Sequence, residues 1–93
     1  MACVRLTVRG RVQGVGFRAY VQDSARGLDL TGWVRNRKDG TVEVWACGPE
    51  AVLTALSEAV AKGPPGAVVR QVTSEAAPSD LVPESFLIRY DET

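Results

Sequence analysis

The hydrophobic pattern of the chain changes its period across a glycine-rich loop near the N-terminus. Residues 4–8 alternate between apolar and polar side chains, which predicts a half-buried strand. Residues 10–16 contain three glycines and are predicted to form a loop. From Phe17 onward the apolar residues recur at helical spacing until Gly27, which is a good helix terminator. The loop therefore lies at one edge of a sheet, directly before the N-terminus of a helix.

The rest of the chain supplies four further strands and a second helix. The strands are predicted over residues 30–36, 41–47, 67–73 and 86–90, the helix over residues 50–62, and a loop over residues 76–83. This order predicts an α+β, ferredoxin-like sandwich: βαββαβ with a short extra C-terminal strand, and two helices on one face of a mainly antiparallel sheet. With 93 residues, we expect a single domain over residues 1–93.

The charge balance limits the partners of the domain. Lys and Arg total 11 and Asp and Glu total 11, so the formal net charge is +0. A domain whose main partner is nucleic acid or an anionic membrane usually has a basic surplus, so we expect neither partner. One sheet face is covered by helices and the other is mostly polar, which favours a monomer. No apolar run approaches the ~20 residues of a membrane span, and the N-terminus lacks a signal-peptide stretch, so we expect a cytoplasmic protein.

Histidine and cysteine usage narrows the chemistry. The chain has no histidine, which removes histidine general bases and histidine metal ligands. Cys3 and Cys47 should lie close together, because the start of strand one meets the end of an antiparallel strand three. A disulfide is geometrically feasible there, but thiols are normally reduced in the cytosol. Two reduced thiols are therefore the default for that compartment, while the sequence leaves open whether the two cysteines form a disulfide.

Two side chains converge on the loop. A βαβ crossover makes strands one and two parallel, so the loop and the end of strand two at Asn36 lie at the same sheet edge. Asn36 should project on the helix-covered face toward Arg18, which begins helix one. The first turn of that helix holds a cation and no acid, although helix N-termini prefer acids, and the second helix has Glu50 there. A phosphate-like anion, held by loop N–H groups, the helix end and Arg18, would compensate.

Other motifs fit less well. Residues 14–19 match the dinucleotide pattern G-x-G-x-x-A, but the acid expected ~20 residues later is replaced by Asn36 with basic neighbours. A Walker A loop would need Gly-Lys followed by Ser or Thr, which is absent. An RNA-binding sheet would need an aromatic-rich third strand, where this chain has one aromatic and one acid. We interpret Trp33 and Trp45 as packing residues, and the basic residues within 35–38 as a solvated hairpin with weak steering of anions.

Two longer stretches resemble a known family. Residues 10–18, GRVQGVGFR, are similar to the first signature of the acylphosphatase family, and GWVRN at 32–36 with DGTVE at 39–43 is similar to the second. The similarity continues to the closing FLIRY at 86–90, so it covers nearly the whole chain. The resemblance implies a ferredoxin-like fold and the hydrolysis of small acyl phosphates to a carboxylate and phosphate, without a metal or cofactor.

The resemblance also implies roles for individual residues. Arg18 and Asn36 would be the catalytic residues: Arg18 binds the phosphoryl group and Asn36 orients the attacking water. Together with Arg18, backbone amides of the loop would bind the phosphate. These amides belong to Gln13, Gly14, Val15, Gly16 and Phe17. Some family members have a bulky aromatic residue where this chain has Gly16, a difference that concerns affinity more than reaction type.

Elementary chemistry agrees with these roles. Arginine is charged at any working pH and presents a planar fork to phosphate oxygens. Asparagine can hold a water molecule through its amide without acting as a base. The leaving group is a carboxylate, so positioning and charge stabilisation suffice without a strong general acid. The alternative is a stand-alone regulator that binds a phosphorylated metabolite without turning it over.

Overall fold

Five strands and two helices make up residues 2–79 and 83–90, the part of the chain that the structure, a computed structural model, describes. In chain order they are β1 (Ala2–Arg11), α1 (Phe17–Gly27), β2 (Thr31–Asn36), β3 (Val42–Gly48), α2 (Glu50–Lys62), β4 (Val68–Ala76) and β5 (Phe86–Arg89). This order confirms the predicted βαββαβ pattern with a short extra strand.

The sheet brings the two parallel strands of the crossover to one edge. Its strand order is β4-β1-β3-β2-β5, with β5 parallel to β2 and the other neighbours antiparallel. Because β1 and β2 are each antiparallel to β3, they run in the same direction, as a βαβ crossover requires. The loop after β1 and the last residue of β2 therefore lie at the same end of the sheet.

The core lies between the helices and one face of the sheet. Residues at even-numbered positions of β1 and β3 point to the helices, because successive side chains of a strand alternate between faces. The fully buried members include Leu6, Val8, Val42 and Val44 from the sheet, Val21 and Ala25 from α1, and Leu56 and Val60 from α2. Burying each larger aliphatic side chain contributes about 1.5–3 kcal/mol. No helix in the described ranges is long and apolar enough to cross a membrane.

The opposite face of the sheet carries the tryptophans and a buried carboxylate. The rings of Trp33 and Trp45 lie 5.7 Å apart, and Trp33 is buried, which confirms the packing interpretation. Glu43 is also buried and accepts a 2.8 Å hydrogen bond from Arg35 Nε. The guanidinium of Arg35 also lies over the Trp33 ring. The prediction of a solvated basic hairpin is therefore wrong for Arg35, because its side chain lies on the sheet against Glu43, the acid opposite it in β3.

The edge strand β4 is longer than the sequence indicated. It continues to Ala76, which pairs with Val4, so the predicted loop over residues 76–83 begins later than expected. Residues 80–82 of that loop lie outside the described residues. The apolar alternation was ambiguous because β4 is exposed along most of its length, and its register against β1 shifts at Arg9 and Gly10.

Cys3 and Cys47 form a disulfide between β1 and β3. The antiparallel register pairs these two residues directly, and their Cα atoms are 4.0 Å apart. Both cysteines are buried. The sequence left this bond open, because the reduced default followed from the assumed compartment, whereas the structure has the cross-link that the register allows.

Candidate active site

Two glycines give the loop between β1 and α1 its shape. Gly14 and Gly16 have φ values of 75° and 76°, in the left-handed region that other residues rarely adopt. Gly16 is the N-cap residue of α1 and, having no side chain, provides no cap hydrogen bond. The first N–H groups of a helix have no partner within the helix. The start of α1 therefore presents uncapped donors and the positive end of the helix dipole.

Arg18 adds a full positive charge at this helix end. The first turn of α1 contains no acidic residue. The Nη1 atom of Arg18 is buried and has no hydrogen-bond partner among the residues that the structure describes. The guanidinium carbon lies 4.8 Å from the centre of the Tyr90 ring, a cation–π contact that holds the side chain without neutralising it.

Asn36 reaches the same place from β2. It is the last residue of the strand, is buried with 8% of its surface exposed, and pairs with Val42 of β3. Its Oδ1 atom is buried and has no hydrogen-bond partner within residues 2–79 and 83–90. A buried polar atom left unsatisfied costs about 1–3 kcal/mol. Asn36 and Arg18 therefore each carry a cost that a bound ligand would relieve.

A pocket of about 180 Å³ joins these groups. Its lining residues are Val12, Gly14, Gly16, Phe17, Arg18, Ala19, Asn36, Ile88 and Tyr90. The pocket thus combines a helix N-terminus, a buried guanidinium nitrogen that can donate, and a buried amide oxygen that can accept. This combination suits a phosphoryl group together with a water molecule.

The structure brings together most of the residues predicted for the site, but not all of them. Arg18, Asn36, Gly14, Gly16 and Phe17 line the pocket, whereas Gln13 and Val15 do not. Val15 packs against the hydrophobic core. The side chain of Gln13 donates hydrogen bonds to the backbone carbonyls of residues 37 and 41. Phosphate binding by the backbone amides of these two residues stays a prediction.

Ile88 and Tyr90 are pocket residues that the sequence reasoning missed. They follow Phe86 at alternating positions, so the pattern placed all three on one face of a short strand. The sequence pattern does not show which strand of the sheet pairs with this last strand. Since β5 pairs with β2 in parallel, its end lies beside Asn36, and Tyr90 follows directly after it.

A larger cavity of about 350 Å³ lies elsewhere, between α2 and strands β1 and β4. Its lining includes Glu50 and the hydroxyl residues Thr54, Ser57 and Ser74, and it has no cationic side chain. An anionic ligand therefore fits the smaller pocket better. No group of three or more His, Cys, Asp or Glu side chains within residues 2–79 and 83–90 could hold a metal ion.

The fold and the pocket place this protein in a class of small α+β sandwich domains with a glycine-shaped loop and an uncapped helix N-terminus beside a pocket. The sequence model of the family described as acylphosphatase matches residues 4–88. The acylphosphatase of Rhizobium etli is 44% identical over 85 residues, which cover 91% of this chain and 90% of that protein. The chain belongs to the acylphosphatase family, whose activity is the hydrolysis of acyl phosphates.

Solved structures agree with this family. The crystal structure of acylphosphatase from Bacillus subtilis superposes with a TM-score of 0.92 at 44% identity, covering 97% of this chain and all (100%) of that one. A full-length HypF in the phosphate- and nucleotide-bound form superposes with a TM-score of 0.81 at 27% identity. It is matched over 97% of this chain but only 12% of its own length. The same domain therefore also occurs as a small part of a much larger protein.

Proposed function

We propose that this chain hydrolyses small acyl phosphates to a carboxylate and phosphate, with the phosphoryl group held by Arg18 and the loop and the attacking water oriented by Asn36. The observation that carries this division of roles is that Arg18 and Asn36 line one pocket and that, among the described residues, Arg18 Nη1 and Asn36 Oδ1 are buried without a hydrogen-bond partner. The first can only donate, which suits a phosphate oxygen. The second can only accept, which suits a water O–H.

The chemistry follows from these two atoms. The Asn36 oxygen accepts one water hydrogen and leaves a lone pair of the water oxygen free to attack phosphorus. As the new P–O bond forms, the bond to the acyl oxygen breaks and its electron pair leaves with the carboxylate. The water protons pass to phosphate and solvent. Negative charge on the phosphoryl oxygens is stabilised by Arg18 and the N-terminus of α1, since phosphoryl transfer depends mainly on positioning and electrostatics.

The remaining lining suits the acyl part of the substrate. Val12, Phe17 and Ile88 contribute apolar surface beside the charged groups. A small acyl group would lie against them while the phosphoryl group occupies the helix end. No metal is needed in this scheme, because Arg18 and the helix supply the positive charge.

Oligomeric state and compartment belong to the same proposal. A monomer is supported by the two sheet faces, one covered by helices and the other carrying a buried tryptophan and a part-buried ion pair. A cytoplasmic location rests on the sequence alone. The disulfide is unusual for that compartment, because cytosolic thiols are normally kept reduced.

The two roles can be separated by kinetics together with inhibition by inorganic phosphate. Arg18→Ala removes charge-assisted hydrogen bonds worth about 1.5–3 kcal/mol each, so kcat/KM should fall about 100-fold or more and phosphate inhibition should weaken. Asn36→Ala should lower kcat about 100-fold while phosphate inhibits almost as well as before. Arg70→Ala, which removes an exposed arginine of β4, is the matched control and should change neither.

Either role is contradicted by a specific result. Full activity of Arg18→Ala would remove the phosphoryl-binding role. A loss in Asn36→Ala that is confined to phosphate binding would remove the water-orienting role. The second candidate function is a phosphate-binding module, which the likeness to a segment of HypF favours. Phosphate binding by a folded chain with no turnover of any acyl phosphate would establish that function instead.

A further inference from the structure

The side chain of Gln13 connects the loop before α1 to the β2–β3 connection. Its Nε2 atom donates a 2.7 Å hydrogen bond to the carbonyl of Arg37 and a 2.9 Å hydrogen bond to the carbonyl of Thr41. Arg37 directly follows Asn36, and Thr41 directly precedes β3. One amide nitrogen therefore contacts both ends of the five-residue connection 37–41. This connection begins directly after Asn36, the last residue of β2, which lines the pocket.

This link matters because β1 and β2 are not neighbours in the sheet. β3 lies between them, and the backbone path from one to the other passes through Val42, which is opposite both Val8 and Asn36. The loop continues past the end of β1, beyond the last residue paired with β3. The Gln13 amide joins the loop directly to the backbone beside Asn36.

The hydrogen-bond geometry excludes a direct role of the Gln13 side chain in phosphate binding. The amide nitrogen has two hydrogens, and the two carbonyls accept both. The remaining polar atom, Oε1, can only accept, so it would repel an anionic oxygen. In agreement with this, Gln13 is not among the residues that line the pocket.

We propose that Gln13 is a positioning residue whose amide fixes the separation between the phosphate-holding loop and the water-orienting Asn36. The inference rests on the proposed function and adds a residue that acts on the reaction through Asn36. A displacement of about 1 Å between reacting groups can lower a rate about 100-fold. The predicted signature is therefore a loss in kcat with little change in phosphate binding, because Arg18 and the helix end stay together on α1.

Gln13→Met is the informative variant, because methionine has a similar length but no donor. The chain should still fold, since both carbonyls keep a backbone partner: Arg37 N donates to Thr41 O at 2.8 Å, and Gly40 N donates to Arg37 O at 3.1 Å. We expect kcat to fall at least about 10-fold and the inhibition constant of inorganic phosphate to change less than about threefold.

Gln22→Met is the matched control. The Gln22 amide donates a 3.2 Å hydrogen bond from α1 to the carbonyl of Phe86, so this variant also removes a part-buried side-chain bond to a backbone carbonyl. Its kcat should stay within about twofold of the parent, while its Tm shifts about as much as that of Gln13→Met. An unchanged kcat in Gln13→Met, with a Tm shift like the control's, would show a merely structural role and overturn the inference.

A double-mutant cycle with Asn36 tests the route of action. If Gln13 acts by placing the loop against Asn36, Gln13→Met should lower kcat less than about twofold in the Asn36→Ala background. If the loss of kcat in the double variant equals the product of the losses in the two single variants, the inference is overturned. A loss of activity in Arg18→Ala and Asn36→Ala but not in Gln13→Met would refute only this inference. Undiminished activity in those two variants would refute the proposed function itself.

Discussion

The disulfide between Cys3 and Cys47 should stabilise the fold strongly without contributing to catalysis. The perturbation is the double variant Cys3→Ala/Cys47→Ala, which removes the cross-link and leaves two small apolar side chains. The bond joins residues separated by 44 positions in the sequence. In the chain-entropy description, cross-linking a loop of this length disfavours the unfolded chain by about 4 kcal/mol.

That free energy corresponds to a large thermal shift. Each 1 kcal/mol moves the Tm of a domain of 60–100 residues by about 4–8 °C, so the variant should melt about 20 °C lower than the disulfide-bonded protein. Activity of the folded variant should be unchanged. Cys3 lies near the start of the ten-residue strand β1 and the loop follows its end, about 25 Å away for an extended strand of this length.

The assay is thermal and denaturant unfolding of both proteins with and without a thiol reductant, together with acyl phosphate hydrolysis below both transitions. Reductant present during unfolding should destabilise the parent and leave the variant unchanged. Equal midpoints for parent and variant would contradict stabilisation by the disulfide. So would two free thiols in a titration of the unfolded, never-reduced parent.

Two further predictions concern the rim of the pocket and the hairpin beside it. Tyr90→Ala should lower kcat/KM about two- to fivefold, since an exposed cation–π contact such as that with Arg18 is worth about 0.5–1 kcal/mol. Tyr90→Phe keeps the ring and should keep the activity. Equal losses of kcat/KM in both variants would contradict a role of the ring. Hydrogen bonds from the hydroxyl and the amide of Thr41 hold the pKa of Asp39 below its ordinary value of 3.8. Because the pKa of Asp39 is lower in the folded than in the unfolded state, the ionised carboxylate stabilises the fold above the unfolded-state pKa. This stabilisation is lost as the pH falls through the folded-state pKa. Asp39→Asn should therefore flatten the dependence of the unfolding midpoint on pH below about pH 4, and an unchanged slope would contradict this assignment.

The sequence predicted the architecture and the two central site residues because both depend on local patterns and general topology rules. The period change at Phe17 located the loop and the helix end. The crossover rule then made β1 and β2 parallel, which placed Asn36 near Arg18 from the sequence alone. The structure confirms that both residues line one pocket.

The rest depended on contacts that side-chain identity does not encode. Tyr90 lies in the site because β5 pairs with the edge of β2, and this pairing depends on long-range packing. The role of Gln13 depends on hydrogen bonds to two backbone carbonyls. Every residue has such a carbonyl, so the sequence does not indicate which ones accept these bonds. For the cysteines the proximity was predicted correctly, but the oxidation state was left open, because the reduced default depends on the compartment and not on the register.

The most direct test of the account is the hydrolysis of a small aromatic acyl phosphate, followed by ultraviolet absorbance with a metal chelator present, for the parent protein, Arg18→Ala and Arg70→Ala. We predict rapid turnover by the parent and by Arg70→Ala, and a loss of about 100-fold or more in Arg18→Ala. Turnover that the chelator abolishes would contradict catalysis by the arginine and the helix end alone. No turnover above background by a folded parent that binds inorganic phosphate would contradict the enzymatic function.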